Sequence, residues 1–486
     1  MKDSKKLHSF LKKYFGFEEF RGDQEAVVQS VLREENAFVV MPTGFGKSLC
    51  YQLPAALAQE EERGPVLVLS PLIALMEDQV MQARQKGIKA RAIHSGMSKK
   101  EKDNALRELE EGRLSLLYVT PERFRKAEFL DVIKKVRVSL LAVDEAHCIS
   151  LWGHDFRPDY SKVGELRSLL KNPPTLALTA TATPRVQEDI LTQLNIPGAQ
   201  RFLGGMERPE LSLNVHDLFS LESKLETILE LREKIQGPLL VYWSLIGTLE
   251  KALAELRRKG LKIGKYHGQM APPDRRRAQE DFLVSDDMMM FATPAFGLGV
   301  DKPNIRGVIH GEMPTSLESY YQEVGRGGRD RQRAEGHLLF DEDDVSIAMD
   351  FIKWSCPEPA FVRRVYHLVE GRSDEYRAGG ADFLRQEMNF YNSRDFRVET
   401  SLNQLERAGS LEWTGKFFEA TDFWNEEFFA PAGHQQHLKS QNEKLLSMLR
   451  WAKQEEGCRM QTIYVYFGHQ GSEPCGICDL CLEKQN

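Results

Sequence analysis

Lys47 and Ser48 close the segment MPTGFGKS at positions 41–48, in which Gly44 and Gly46 let the backbone come close to a bound anion. Backbone N–H groups of such a turn point at phosphates, and the start of a following helix adds partial positive charge. In that setting Lys47 reaches the β- and γ-phosphates of ATP, Ser48 ligates Mg2+, and Thr43, Gly44 and Gly46 form the cradle. The strict loop pattern has Gly where this chain has Met41, so the loop alone also fits a Gly-rich strand-to-helix turn with an incidental lysine. The next acids decide between these. Asp144 and Glu145 end the apolar run SLLAVD (139–144), about 100 residues further on. Ligands gather at the carboxyl ends of strands in open α/β sheets. There Asp144 can hold Mg2+, and Glu145 can polarise a water for attack on the γ-phosphate, with His147 beside them. Loop and acid pair together describe one triphosphate-hydrolysing site.

Arg326 and Arg329 lie three apart in QEVGRGGRD (322–330), on one face if that stretch is helical. An arginine near the γ-phosphate stabilises transition-state charge, a contribution of about 10³–10⁵-fold in NTPases. The tail carries Cys458, Cys475, Cys478 and Cys481, a spacing suited to a tetrahedral thiolate Zn2+ site, with His469 as a rival ligand. Cys50, Cys148 and Cys356 are expected to be core cysteines. Trp152, Phe156 and Tyr160 recur every four residues among Gly, His, Asp and Pro, with Arg157 between them. That mixture predicts an exposed loop whose rings stack on single-stranded bases, at about 1–3 kcal/mol per base. His154 is placed to relay between Glu145 and that loop.

These groups need a scaffold. The runs at 37–41, 65–70, 115–120, 139–144 and 175–180 are short, apolar and separated by helix-length stretches, which predicts a buried parallel sheet. A second set at 238–244, 262–267, 288–293, 307–313 and 337–340 predicts a second α/β domain. The arginines belong to this second set, so hydrolysis requires the two domains to close on each other. Residues 201–214 read as a linker, and the DEDD run at 341–344 as a solvated face. Two helical stretches and the strands of SLEWTGKFFEAT then suggest a winged helix, with residues 399–408 toward a groove, a wing near 414–416 and Trp413 in the core. The expected domains are 1–205, 206–345, 346–430 and 431–486. At roughly 150 residues per domain, the 486 residues suffice for several cores. A net charge of −7 argues against coating by nucleic acid through bulk charge, but not against a local basic groove. No run approaches the ~20 apolar residues of a membrane span, and the basic N-terminus has no apolar stretch behind it, so an intracellular protein without membrane contact is expected.

The sequence resembles superfamily 2 helicases, and within them the RecQ family. MPTGFGKS, DEAH (144–147), TAT (179–181) and QEVGRGGRD resemble motifs I, II, III and VI; residues 291–310 resemble motif V. FGFEEFRGDQ (15–24) and WGHDFRPDY (152–160) resemble the family's N-terminal motif and aromatic-rich loop. The resemblance implies two RecA-like domains, a DNA-stimulated ATPase and 3′–5′ unwinding of DNA in repair or recombination. It also implies adenine contacts from Phe17, Arg21 and Gln24, with Gln24 pairing its amide with the base edge. Arg329 becomes the finger with Arg326 beside it, and Asp301 and Thr293 act in the second domain. Trp152, His154, Phe156 and Arg157 become DNA contacts, joined by the Ser70 and Thr120 strand ends. Single-stranded and forked duplex DNA are the implied partners of a monomer in the bacterial cytoplasm, associated with the nucleoid, or otherwise inside the cell. The chain departs from the family at Phe45, Gly22-Asp23 and Pro294, and in placing its winged-helix segment before the cysteines.

Overall fold

A computed structural model describes the chain apart from residues 1, 43, 72, 151–159, 161, 205–206, 298–299, 301, 389–394, 415, 422, 427, 470–472 and 485–486. Two compact units emerge: residues 1–312, 320–340 and 454–486 form the first, and residues 313–319 and 341–453 the second.

The first unit holds two parallel sheets. Strands β1 (Ala37–Val40), β2 (Val66–Leu69), β3 (Ala90–Ile93), β4 (Leu116–Val119), β5 (Leu140–Val143), β6 (Thr175–Thr179) and β7 (Gln200–Phe202) lie in the order β3-β4-β2-β5-β6-β1-β7. Phe38 and Val40 pack into one core and Ala37 and Val39 into another on the opposite side, so β1 is covered on both faces. Strands β8 (Leu211–Asp217), β9 (Leu239–Tyr242), β10 (Ile263–Tyr266), β11 (Met289–Ala292), β12 (Gly307–His310) and β13 (Ala334–Phe340) form the second sheet, ordered β10-β11-β9-β12-β13-β8. These are the two RecA-like lobes that the apolar runs and the motif resemblance imply.

Four expectations need correction. Residues 201–214 are not all linker: β7 ends in them and β8 begins in them, each at a sheet edge. Tyr160 is not on an exposed loop; it is 1% exposed within the first lobe's core, while 151–159 lie outside the described residues. Asp344 of the DEDD run is buried, its carboxylate accepting the Met313 and Asp341 N–H groups at 3.1 and 3.3 Å. Trp413 is 48% exposed. It sits on β14 (Leu411–Trp413), which pairs antiparallel with β15 (Phe418–Ala420); Leu411 reaches the core, whereas two residues later Trp413 meets Phe418 across the hairpin.

The second unit is helical around that hairpin. Helices Pro359–Gly371, Ser373–Glu387 and Arg397–Arg407 enclose Val365, Leu384 and Leu405. The 22-residue helix Pro431–Ala452 belongs to this unit too, although the cysteines that follow it belong to the first. Cys50, Cys148 and Cys356 are buried, as expected. Among the described residues, no helix is long and apolar enough to cross a membrane.

Candidate nucleotide site and metal centre

The phosphate loop joins β1 to helix Leu49–Glu60, with φ of +85° at Gly44 and +82° at Gly46. Both values lie in the region that glycine adopts without penalty. Lys47 Nζ donates to the Met41 carbonyl at 3.0 Å, curled along the loop. Gln24 is 3% exposed. Its amide nitrogen donates to the Phe45 and Gly46 carbonyls at 2.8 and 3.3 Å, and its oxygen accepts the Arg21 N–H at 2.9 Å. Its amide thus braces the loop. Phe17 is 51% exposed and Arg21 is exposed, both with faces open to a ligand.

Asp144 and Glu145 follow β5, at the sheet edge that bears the loop. Burial, reinforced by the charge of Glu145, pushes the Asp144 carboxyl up to about 7. Burial opposes ionisation of Glu145 as well. There the hydrogen bond to His147 and the charges of His147, Lys47 and Arg326 prevail and hold it down at about 2. The two neighbouring acids are thereby shifted in opposite directions. His147 Nδ1 lies 3.3 Å from Glu145 Oε2 and 3.0 Å from Thr179 Oγ1, which in turn meets Thr181. DEAH and TAT are therefore in contact. Ser70 and Thr120 end neighbouring strands but are buried.

The second lobe supplies the arginines. Arg326, 4% exposed, donates to the Gly297 carbonyl, and Arg329 donates to the Val300 carbonyl at 3.0 Å. The Arg329 stem lies against the phosphate loop: a Cβ built on Gly44 would stand 3.0 Å from Arg329 Cδ. A cavity of about 530 Å³ opens here, lined by Arg21, Gly44, Phe45, Arg208, Arg329 and Ile477. Thr43, Asp301, Trp152, His154, Phe156 and Arg157 lie outside the described residues.

In the tail, the Sγ atoms of Cys458, Cys475, Cys478 and Cys481 lie within 4.8 Å of one another. The sulfur of Cys458 accepts N–H groups of Gln461 and Cys475 at 3.5 and 3.2 Å, which favours a thiolate. Four converging sulfurs fit a structural zinc site, without His469. The tail docks on the second lobe. Arg459 Nε meets both carboxylate oxygens of Asp479 at 2.7 and 2.8 Å, and Asp479 Oδ2 accepts the Val215 N–H at 3.0 Å, satisfying a donor on edge strand β8.

Residues 21–190 match the DEAD/DEAH box helicase family, 223–331 the helicase conserved C-terminal domain, and 419–482 the RecQ zinc-binding family. A Synechocystis protein named ATP-dependent DNA helicase RecQ is 33% identical over 505 residues, covering 99% of both chains. The chain belongs to the RecQ family of helicases. A Haemophilus influenzae RecQ is 40% identical over 98% of this RecQ-family chain, which spans 63% of that longer protein. Among solved structures, the helicase MrfA bound to DNA superposes with a TM-score of 0.58 at 19% identity, over 88% of this chain and 63% of that one, a likeness of fold.

Sequence reasoning missed Arg208, which is 3% exposed and lines the cavity between the lobes. It also missed Tyr464, whose hydroxyl accepts the Arg208 N–H at 3.1 Å. Neither sits in a recognisable motif; their roles come from tertiary contacts.

Proposed function

We propose that this chain is an ATP-dependent DNA helicase that moves 3′ to 5′ along single-stranded DNA and unwinds duplexes in repair or recombination. The observation that carries it is the approach of Arg329 to Gly44, with Arg326 contributing to the field at Glu145, because it makes one hydrolytic site out of two lobes. The oxygen donors of Asp144 and Ser48 suit Mg2+, which when bound draws charge from the β- and γ-phosphates. Lys47 and the loop N–H groups hold the phosphates. Glu145 takes a proton from the attacking water, and Arg329, with Arg326 beside it, faces the charge that develops. Phe17, Arg21 and Gln24 serve the adenine, and Asp301 serves the nucleotide.

Closure and opening of the lobes step the protein along one strand. Trp152, His154, Phe156 and Arg157 contact that strand. The helix–hairpin unit grips the duplex as a winged helix, with exposed Trp413 as a wedge. Each base-pair step resists by about 1.4 kcal/mol of stacking, so a small wedge suffices. The decisive experiment measures ATP turnover with single-stranded DNA and with RNA, and unwinding of fork, overhang and blunt duplexes. DNA should stimulate more strongly, and Lys47→Ala should abolish unwinding while leaving DNA binding largely intact. Stronger stimulation by RNA, or unwinding that survives Lys47→Ala, overturns the reading.

A further inference from the structure

The turn that carries Arg326 and Arg329 is fastened by a residue outside every motif. The Arg208 guanidinium donates through Nη1 to the Gly325 carbonyl at 3.1 Å and through Nη2 to the Gly327 carbonyl, while Nε pairs with Glu210. Those carbonyls flank Arg326 on either side. A planar fork holds two acceptors at fixed separation, which an ammonium on a flexible stem does not. Arg208 is itself fixed from the tail. Its backbone N–H is bound by Tyr464, on the helix Arg459–Tyr466 that starts at Cys458, and Ile477, between Cys475 and Cys478, lines the same cavity. Gly468 of the tail also abuts Pro184 of the first lobe, where an added Cβ would stand 2.7 Å from the Pro184 ring. The cysteine module therefore touches both lobes and the clamp on the arginine turn.

We propose that Arg208 is a positioning residue for the arginine turn, and that the cysteine module holds it in place through Tyr464. The consequence is that the zinc-binding tail governs ATP turnover by geometry, in addition to its part in folding. This rests on the hydrolytic site proposed above and extends it.

The test is a kcat-against-KM comparison with DNA-stimulated ATP hydrolysis as readout. Arg208→Lys keeps the buried charge beside Glu210 but loses the fork. It should lower kcat about 10- to 100-fold with the KM for ATP nearly unchanged. In a background with both Arg326→Ala and Arg329→Ala the same change should cost several-fold less, because the groups it positions are gone. Tyr464→Phe, which removes one oxygen, should lower kcat about threefold or more with zinc content unchanged. A full kcat in Arg208→Lys, or a loss equal in both backgrounds, overturns the positioning role. A full kcat in Tyr464→Phe overturns the link to the tail. A wild-type protein that hydrolyses no ATP with DNA defeats the function itself, whereas wild-type turnover with an unaltered Arg208→Lys defeats only this inference.

Discussion

Replacing Gly44 by alanine adds one methyl group where the two lobes approach. The φ of +85° at Gly44 lies in the left-handed region, which costs an L residue about 1–2 kcal/mol. That alone lowers the competent loop population by a factor of about 5–30. The methyl would also stand 3.0, 3.1 and 3.2 Å from Arg329 Cδ, Cγ and Nε. The arginine stem is flexible, so it yields by a fraction of an ångström and carries its guanidinium off line. A misplacement of 1 Å can cost about 100-fold in rate, so Gly44→Ala should lower kcat between about 10- and 100-fold. Affinity for a non-hydrolysable ATP analogue should fall by no more than the strain factor. The assay is steady-state ATP hydrolysis at saturating single-stranded DNA, with analogue binding and thermal midpoint measured on the same preparation. In an Arg329→Ala background the contact with the stem disappears and only the backbone strain remains. A Gly44→Ala protein that turns over ATP at the wild-type rate would show that Arg329 does not lie over the loop, and the two-lobe site would fall with it.

Other outcomes follow from the same geometry. Glu145→Gln keeps size and burial but removes the anion, so ATP turnover should fall by about 10²–10⁴-fold while analogue binding persists; turnover near wild type removes Glu145 from the chemistry. Cys475→Ser takes one sulfur from the four, and should lower both the zinc retained after dialysis and the thermal midpoint; a stable, metal-free wild type contradicts the structural role. Burial, then the neighbouring charge of His337, depresses His216 from 6.5 to about 4. The unfolded chain therefore binds the proton first, and stability present above pH 6.5 is lost as pH falls toward 4. That difference is worth about 3 kcal/mol, or about 2 after allowing for partial exposure of the side chain. Melts of wild type and His216→Gln between pH 7 and 4.5 should show a shallower acid loss in the variant, and equal slopes refute the assignment.

The central strands were legible because both their faces are buried: AFVV, VLVL and LLAV are apolar throughout. Edge strands were harder to read. β3 is ARAI, with Arg91 turned to Glu108 at 2.7 Å, and β8 is LSLNVHD, with a polar outer end that reads as linker until its partner β13 is known. The phosphate loop, the acid pair and the cysteines were visible because their chemistry is local in sequence. The brace made by Gln24 was not: its side chain bonds a loop 21 and 22 residues away, and residue type alone does not reveal that contact. Tyr160 shows the limit of periodicity, since a four-residue spacing among aromatics does not say whether a ring is exposed or enters the core. Trp413 shows the same for strands, because a two-stranded hairpin buries a residue only where helices reach it.

In the proposed mechanism the opposite shifts of Asp144 and Glu145 would link hydrolysis to closure. Both are buried at one strand end, and burial alone would raise both. Glu145 escapes through His147 first, then Lys47, and last Arg326 from the other lobe. Parting the lobes would remove that last charge from the base and, in the same movement, lift Arg329 from the loop. The open form then lacks both the arginine and part of the field that keeps the base ionised. On the proposed mechanism, position and charge would then both favour hydrolysis in the closed form, as a motor requires if each ATP is to be split only when the lobes have moved.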